Sequence, residues 1–306
     1  MSSTLPAAVP ETVAADAMIL TLQGLRDEID AADDALHDLL MRRGEVVARV
    51  AALRQAGKIA FRPGREADIV RRLLGRHSGA LPRAGIVRLW RELFAATTST
   101  QVGLAISVCE SAADGACTAL AREHFGALTP LRVHGGAAEA IAEVSAGRAT
   151  AAVLPMPVEA ESPQAAWWTA LLGRGEPRIH VVARLPFWTP RPEGVPDAQA
   201  LVVAASAPDA SSSDRSLLGF AMPPDMGRAR LAAAFAAVGF APGAVLVRRD
   251  ADGPLAYGLV DVEGYVTDGD PRLPRLEGSV QRPVVLGAYA VPYQAAEPTL
   301  TTGAGP

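Results

Sequence analysis

The first chemically suggestive feature of the sequence is an arginine where a hydrophobic residue is due. Leu22, Leu25, Ile29, Ala32, Leu36, Leu39, Val46, Val50 and Leu53 recur at steps of three and four, the spacing of one helix face. Arg43 fills the vacant slot between Leu39 and Val46. A guanidinium on an inward face is costly unless it meets an anion, so two readings stand open, an internal salt bridge or a bound anion. Arg54 follows eleven residues later, about three turns, and shares that face. Two guanidinium groups on one inward stripe suit the gripping of carboxylates, because the planar fork of arginine matches a carboxylate in bidentate fashion. Arg26 precedes Arg43 by seventeen residues, or about 25 Å of helix axis. One chain cannot bring both to one small ligand; an antiparallel or crossing partner helix can.

The elements that must position these groups are helices. The spacing predicts one uninterrupted helix over residues 22–56, with no proline inside and Gly44 as a tolerable cost. At about 50 Å it exceeds what a small domain needs, which points to a partner chain. Gly57 ends it, and Pro63 lies where a new helix can start. A short second helix is expected over 65–76, with Ile69, Leu73 and Leu74 inward. A third opens at Pro82 and runs to Gln101, with Ile86, Leu89, Trp90, Leu93 and Phe94 apolar.

Taken together these segments resemble the helical chorismate mutases. The string Leu25-Arg26-Asp27-Glu28-Ile29-Asp30, with Asp33, Leu36, Leu39-Leu40 and Arg42-Arg43, is similar to that family's opening helix. Pro63-Gly64-Arg65-Glu66-Ala67 and Leu89-Trp90-Arg91-Glu92-Leu93-Phe94 match its second and third helices in order and at suitable spacing. The resemblance implies an all-α three-helix domain that forms an intertwined dimer and converts chorismate to prephenate in phenylalanine and tyrosine biosynthesis. It also implies roles. Arg26, from the other subunit, and Arg43 would hold the two carboxylates. Arg54 stands where the family usually has a lysine donating to the ether oxygen; it keeps the charge and changes the reach. Glu66 would receive the ring hydroxyl, Arg65 would support the site electrostatically, Thr97 would assist a carboxylate, and Gln101 would be the second donor to the ether oxygen. No cofactor or metal is implied. A unimolecular rearrangement needs a held reactive conformer and stabilisation of charge on the breaking ether bond.

The remaining two thirds changes character. Strands are expected over 102–108, 131–133 and 151–154, alternating with helices over 115–125 and 137–146, the pattern of a parallel βαβα unit. Residues 186–196 and 208–214 read as linkers. Beyond them strands over 217–221, 244–248, 256–263 and 284–290, with helices over 228–238 and 271–277, suggest a small α+β module. Residues 103–207 resemble a truncated prephenate dehydratase-like lobe, on Ala140 to Pro155 with Val153-Leu154-Pro155. The family's Asn and Ser are absent: Met156-Pro157-Val158-Glu159 follows. Ala198-Gln199-Ala200 replaces its Thr-Arg-Phe, and Cys109-Glu110-Ser111 and its neighbours replace the Thr-Phe-Ser loop. Dehydratase activity is therefore expected to be lost. Residues 215–293 resemble an ACT-like (ferredoxin-like) domain, on Val260-Asp261-Val262-Glu263-Gly264-Tyr265 and Val285-Leu286-Gly287-Ala288-Tyr289. Its effector-contacting Glu-Ser-Arg-Pro is replaced by Leu246-Val247-Arg248-Arg249, so two readings stay open there, an amino-acid effector site that has lost this contact and a retained scaffold for oligomerisation.

The expected organisation is thus a disordered N-terminus over 1–17, a mutase domain over 18–102, the dehydratase-like lobe over 103–207, the ACT-like domain over 215–293 and a disordered tail over 294–306. A net charge of −4 speaks against nucleic acid as the main partner. No apolar run approaches a membrane span, and residues 1–17, with Glu11 and Asp16, lack the form of a signal peptide. Cys109 and Cys117 fit neither a disulfide framework nor a zinc set and read as small hydrophobes, and His124, His134 and His180 lack ligand spacing. The expected setting is cytoplasmic, with a homodimer acting on chorismate. Two rival functions remain at this stage: a lyase releasing pyruvate from isochorismate on the same helical fold, and a non-catalytic sensor of chorismate or an aromatic amino acid.

Overall fold

The computed structural model describes residues 11–53, 61–110, 114–159, 166–173, 175–191, 193–195, 197–249 and 253–295, with side chains from residue 21 onward except that of Val102. The chain divides into two compact units, Met1–Lys58 and Ile59–Pro306.

The described residues of the first unit form one helix, α1 (Glu11–Leu53). It begins earlier than the apolar stripe suggests, so residues 11–17, expected as an unstructured lead-in, are helical. Ala14, Ala15 and Ala17 are strong helix formers. The predicted stripe lies along this helix with Leu25, Ile29, Leu36, Leu39 and Val50 all exposed. The end expected at Gly57 lies outside the described residues.

The second unit opens with α2 (Pro63–Arg76) and α3 (Arg83–Val102). Pro63 starts α2 at the position where a missing N–H costs nothing. Gly103, in the left-handed region at φ 65°, ends α3, so Val102 is helical rather than the first residue of a strand.

An α/β region follows: β1 (Ile106–Cys109), α4 (Ala116–Phe125), β2 (Leu131–His134), α5 (Ala137–Ser145), β3 (Ala151–Pro155), β4 (His180–Leu185), β5 (Trp188–Thr189) and β6 (Ala200–Ala204). Next come β7 (Asp214–Met222), α6 (Arg228–Ala237), β8 (Pro242–Arg249), β9 (Ala256–Glu263), β10 (Gln281–Ala290) and β11 (Tyr293–Gln294). The alternation read in the sequence is parallel as expected, with β1 pairing both β2 and β3 in parallel. Among the described residues, nine strands form one sheet in the order β2-β1-β3-β6-β4-β10-β7-β9-β8. Its last four strands are antiparallel and, numbered within their own segment, run 4-1-3-2, the order of a ferredoxin-like βαββαβ unit. The second helix of that unit, expected over 271–277, is reduced to a 3₁₀ turn at Pro274–Leu276, since prolines at 271 and 274 withhold amide donors. The sheet passes without a break from the segment of residues 103–207 into that of residues 215–293, by way of β4 and β10.

The described residues of the two expected linkers are not free spacers. Phe187, Trp188 and Tyr293 join Val70, Leu74, Val87, Phe94 and Ala290 in one core that fastens α2 and α3 to the sheet. Trp188 stacks on Tyr293 at 5.4 Å, beside the β5–β11 pairing, so Gln294 lies in a strand and not in the tail. Residues 296–306 lie outside the described part. No helix among the described residues is long and apolar enough to cross a membrane.

Candidate functional site

On α1, Arg26 is exposed and Arg43 is half-buried, both on the same continuous helix. Acidic residues crowd the same helix: Asp27, Glu28, Asp30, Asp33 and Asp34 are all exposed. Arg54 lies outside the described residues.

In the second unit the expected residues form two groups. Arg65 and Glu66 sit in the first turn of α2, where an acidic side chain complements the helix dipole. Arg65 is exposed and lines an open cationic recess with Arg62, Asp68, Ile69 and Arg72. Thr97 and Gln101 form the second group, one turn apart on α3 and both half-buried. Gln101 Nε2 donates to the Thr97 carbonyl at 3.0 Å, while the Thr97 hydroxyl donates back to the Leu93 and Phe94 carbonyls at 2.8 and 3.1 Å. The amide expected to face an ether oxygen thus bonds to its own helix.

Two residues that the sequence reading passed over shape the α2 end. Arg91, only 3% exposed, donates to Glu66 Oε2 at 3.0 Å. Its guanidinium lies 4.9 Å from the centroid of the Phe187 ring and 6.0 Å from that of Phe94. Burial pushes the Arg91 guanidinium down from its usual range, and Glu66 opposes that shift. The signal was present: Val87, Arg91, Phe94 and Thr98 follow the three-four spacing and are all buried, so Arg91 occupies a core slot much as Arg43 was read to do. Asp209 is the other. Its two carboxylate oxygens accept the Gly64 and Arg65 amides at 3.0 Å each, across 145 and 144 residues of sequence. No local pattern could have announced that.

Next to Arg91, α4 buries His124, and no partner for its Nε2 is found among the described residues. Burial, aided by the nearby Arg91 charge, holds this imidazole well below its ordinary value, and therefore neutral. Glu123 makes a two-pronged pair with Arg191 at 2.7 Å for each contact. Burial likewise pushes the Cys117 thiol up to about 12 and raises that of Cys109, so both are inert thiols packed as hydrophobes. His134 contacts Ser107 Oγ at 3.3 Å, and His180 lies on β4 with burial lowering its value.

Residues 25–102 match the family described as chorismate mutase type II. That segment is a chorismate mutase. The match takes in all three helices of this mutase segment and each of the seven residues singled out above for a role in the site. No curated protein matches the chain. Among solved structures, the chain is similar to one described as GqqA, a novel type of quorum quenching acylases, at 17% identity, covering 61% of this chain and 95% of that one, with a TM-score of 0.46. It is similar to a prephenate dehydratase from Streptococcus mutans at 17% identity, covering 63% and 100%, with a TM-score of 0.44. It is also similar to a prephenate dehydratase from Arthrobacter aurescens in complex with L-Phe, at 14% identity, covering 61% and 90%, with a TM-score of 0.45. Likeness at this level carries no argument about function.

Proposed function

We propose that the chain converts chorismate to prephenate as a homodimer, using guanidinium groups to hold a dianion and to stabilise the departing ether oxygen. The family match over residues 25–102 carries this reading, because it spans Arg26, Arg43, Arg54, Arg65, Glu66, Thr97 and Gln101. In it Arg26 of a second copy and Arg43 bind the two carboxylates, and Arg54 with Gln101 donates to the ether oxygen. Glu66 accepts the ring hydroxyl, Arg65 supplies positive potential, and Thr97 assists one carboxylate. Each of these interactions lowers the barrier to the extent that it strengthens as charge builds in the transition state. Holding one compact conformer removes the entropic part. Gln101 Nε2 spends one of its two N–H groups on the Thr97 carbonyl, and in this reading the other donates to the ether oxygen. The exposed apolar stripe of α1 supports a second copy as the partner that covers it.

For the rest of the chain we propose a dehydratase-like and ACT-like scaffold without dehydratase turnover. The 4-1-3-2 strand order supports the ACT-like reading. Arg248 and Arg249, at the position of the missing effector motif, are engaged internally. Arg248 donates to Thr169 Oγ1 at 3.2 Å, and Arg249 donates to the Pro224 and Met226 carbonyls at 2.9 and 2.8 Å.

The test is turnover by the purified full-length chain. Prephenate formed from chorismate without added metal or cofactor is expected. Pyruvate released from isochorismate would instead indicate the lyase, and tight chorismate binding in calorimetry without turnover would indicate a sensor.

A further inference from the structure

The helix that carries Arg65 and Glu66 has no cap of its own: Arg62 stands at its N-cap and makes no side-chain capping bond. The cap comes from the segment between β6 and β7. Asp209 offers one carboxylate oxygen to the Gly64 amide and the other to the Arg65 amide, each at 3.0 Å, and Arg62 Nε lies 3.4 Å from the same carboxylate. The two segments lie flush, since a Cβ on Gly64 would collide with the Asp209 carbonyl. The segment that carries Asp209 is itself anchored. Tyr265 donates its hydroxyl to the Pro208 carbonyl at 2.7 Å, and the Ser211 amide and hydroxyl donate to Asp214 at 2.7 and 2.5 Å. Further along α2, Ser212 donates to Asp68 through both its amide and its hydroxyl, and Arg71 donates to the Ser213 and Val291 carbonyls at 3.0 and 2.7 Å.

We propose that Asp209 is a positioning residue of the mutase, through which the α/β region sets the first turn of α2 and with it Arg65 and Glu66. This rests on the mutase reading above. A helix start left uncapped frays within its first turn, where both residues stand. An electrostatic site loses rate steeply with small displacements, on the order of a hundredfold for about 1 Å. Ser212 provides the contrast, because it braces the same segment against α2 without touching the first-turn amides.

The experiment measures kcat, KM and thermal midpoint for the full-length chain and for Asp209→Ala, Asp209→Asn and Ser212→Ala. Inactivity of the unaltered chain would refute the mutase reading itself, before any variant is considered. Given an active chain, kcat is expected to fall about ten- to a hundredfold in Asp209→Ala. Asp209→Asn, which retains one acceptor oxygen, should fall in between, and Ser212→Ala should lower the midpoint while keeping kcat. If Asp209→Ala does not fold, Asp209→Asn decides: a kcat at least threefold down supports the proposal. Wild-type kcat in the folded Asp209 variants, or an equal loss in Ser212→Ala, would overturn it.

Discussion

The pair Glu66–Arg91 is the residue-scale centre of the proposed site, and its energetics follow from burial. Two opposite charges taken out of water nearly cancel as a pair, but removing one leaves the other stranded. Arg91→Leu is therefore expected to cost about 3–5 kcal/mol, read as a fall in the urea midpoint. Adding Glu66→Gln should restore part of that stability without restoring turnover. Glu66→Gln alone should lower kcat about a hundredfold, since the acceptor of the ring hydroxyl loses its charge, and should also lower the urea midpoint, less than Arg91→Leu does, because the amide oxygen can still accept from the Arg91 guanidinium. Full activity in that variant would remove Glu66 from the site. His124, behind Arg91, gives a pH signature. Its folded value is depressed, so below the ordinary imidazole value of 6.5 the unfolded chain binds a proton that the folded chain refuses. Stability is then complete above pH 6.5 and declines as the pH falls, by up to about 1.4 kcal/mol per pH unit for one such group. The depressed His180 adds a slope of the same sign. His124→Phe should flatten the dependence between pH 7 and 5.5 in denaturation curves; an unchanged slope would show that another group governs it.

At the scale of elements, α1 leaves its apolar stripe open to water. A helix draws most of its stability from packing its apolar face, and here Leu39 is 62% and Ile29 60% exposed. Each such side chain gains about 1.5–3 kcal/mol when buried, so the proposed dimer would draw its stability from covering the stripe. The full-length chain is expected to scatter light as a dimer, and Leu36→Asp to shift it toward monomer and to lower turnover together with dimer content. A dimer that survives this change would place the interface elsewhere. This helix was legible because its three-four period runs through some thirty residues with a single break, at Arg43. The helices and strands of the βαβα segment were legible for the same reason, each carrying its own apolar pattern and breaker. Elements held by distant partners were not. The 208–214 segment is composed like a linker, yet it caps α2 because Asp209 and the Gly64 amide meet across 145 residues. The expected linker over 186–196 supplies Phe187 to the core and a strand at Trp188–Thr189 that exists only by pairing with β11.

For the α/β unit as a whole, the decisive contact is where the two halves of the sheet meet. β4 joins β10 in parallel through Gly287 opposite Val181. Gly287 has φ 145°, and a Cβ there would collide with the Val181 carbonyl and lie 2.5 Å from its amide nitrogen. Polar bonds lock the same seam. Arg178 pairs with Asp268 and donates to the Val285 carbonyl at 2.7 Å, while Arg184 donates to the Tyr289 hydroxyl at 3.3 Å. Tyr289 in turn donates to Asp261 at 2.7 Å, and burial beside that carboxylate pushes its phenol up to about 12. A seam so closely fitted makes the halves unfold together, and α2 and α3 join them through the core around Phe187 and Ala290. Gly287→Ala has no flexible neighbour to displace, only backbone, so strain and overpacking should add to about 3–5 kcal/mol. Gly278→Ala is the control: φ there is 99°, yet nothing lies within 4 Å of the added carbon, so only the backbone penalty of about 1–2 kcal/mol remains. Calorimetry of the two variants separates the cases. A large drop in midpoint for Gly287→Ala, or its splitting into two transitions, is expected alongside a small shift for Gly278→Ala. Equal small shifts would mean that the sheet tolerates a gap at β4–β10 and that its halves hold together by some other contact.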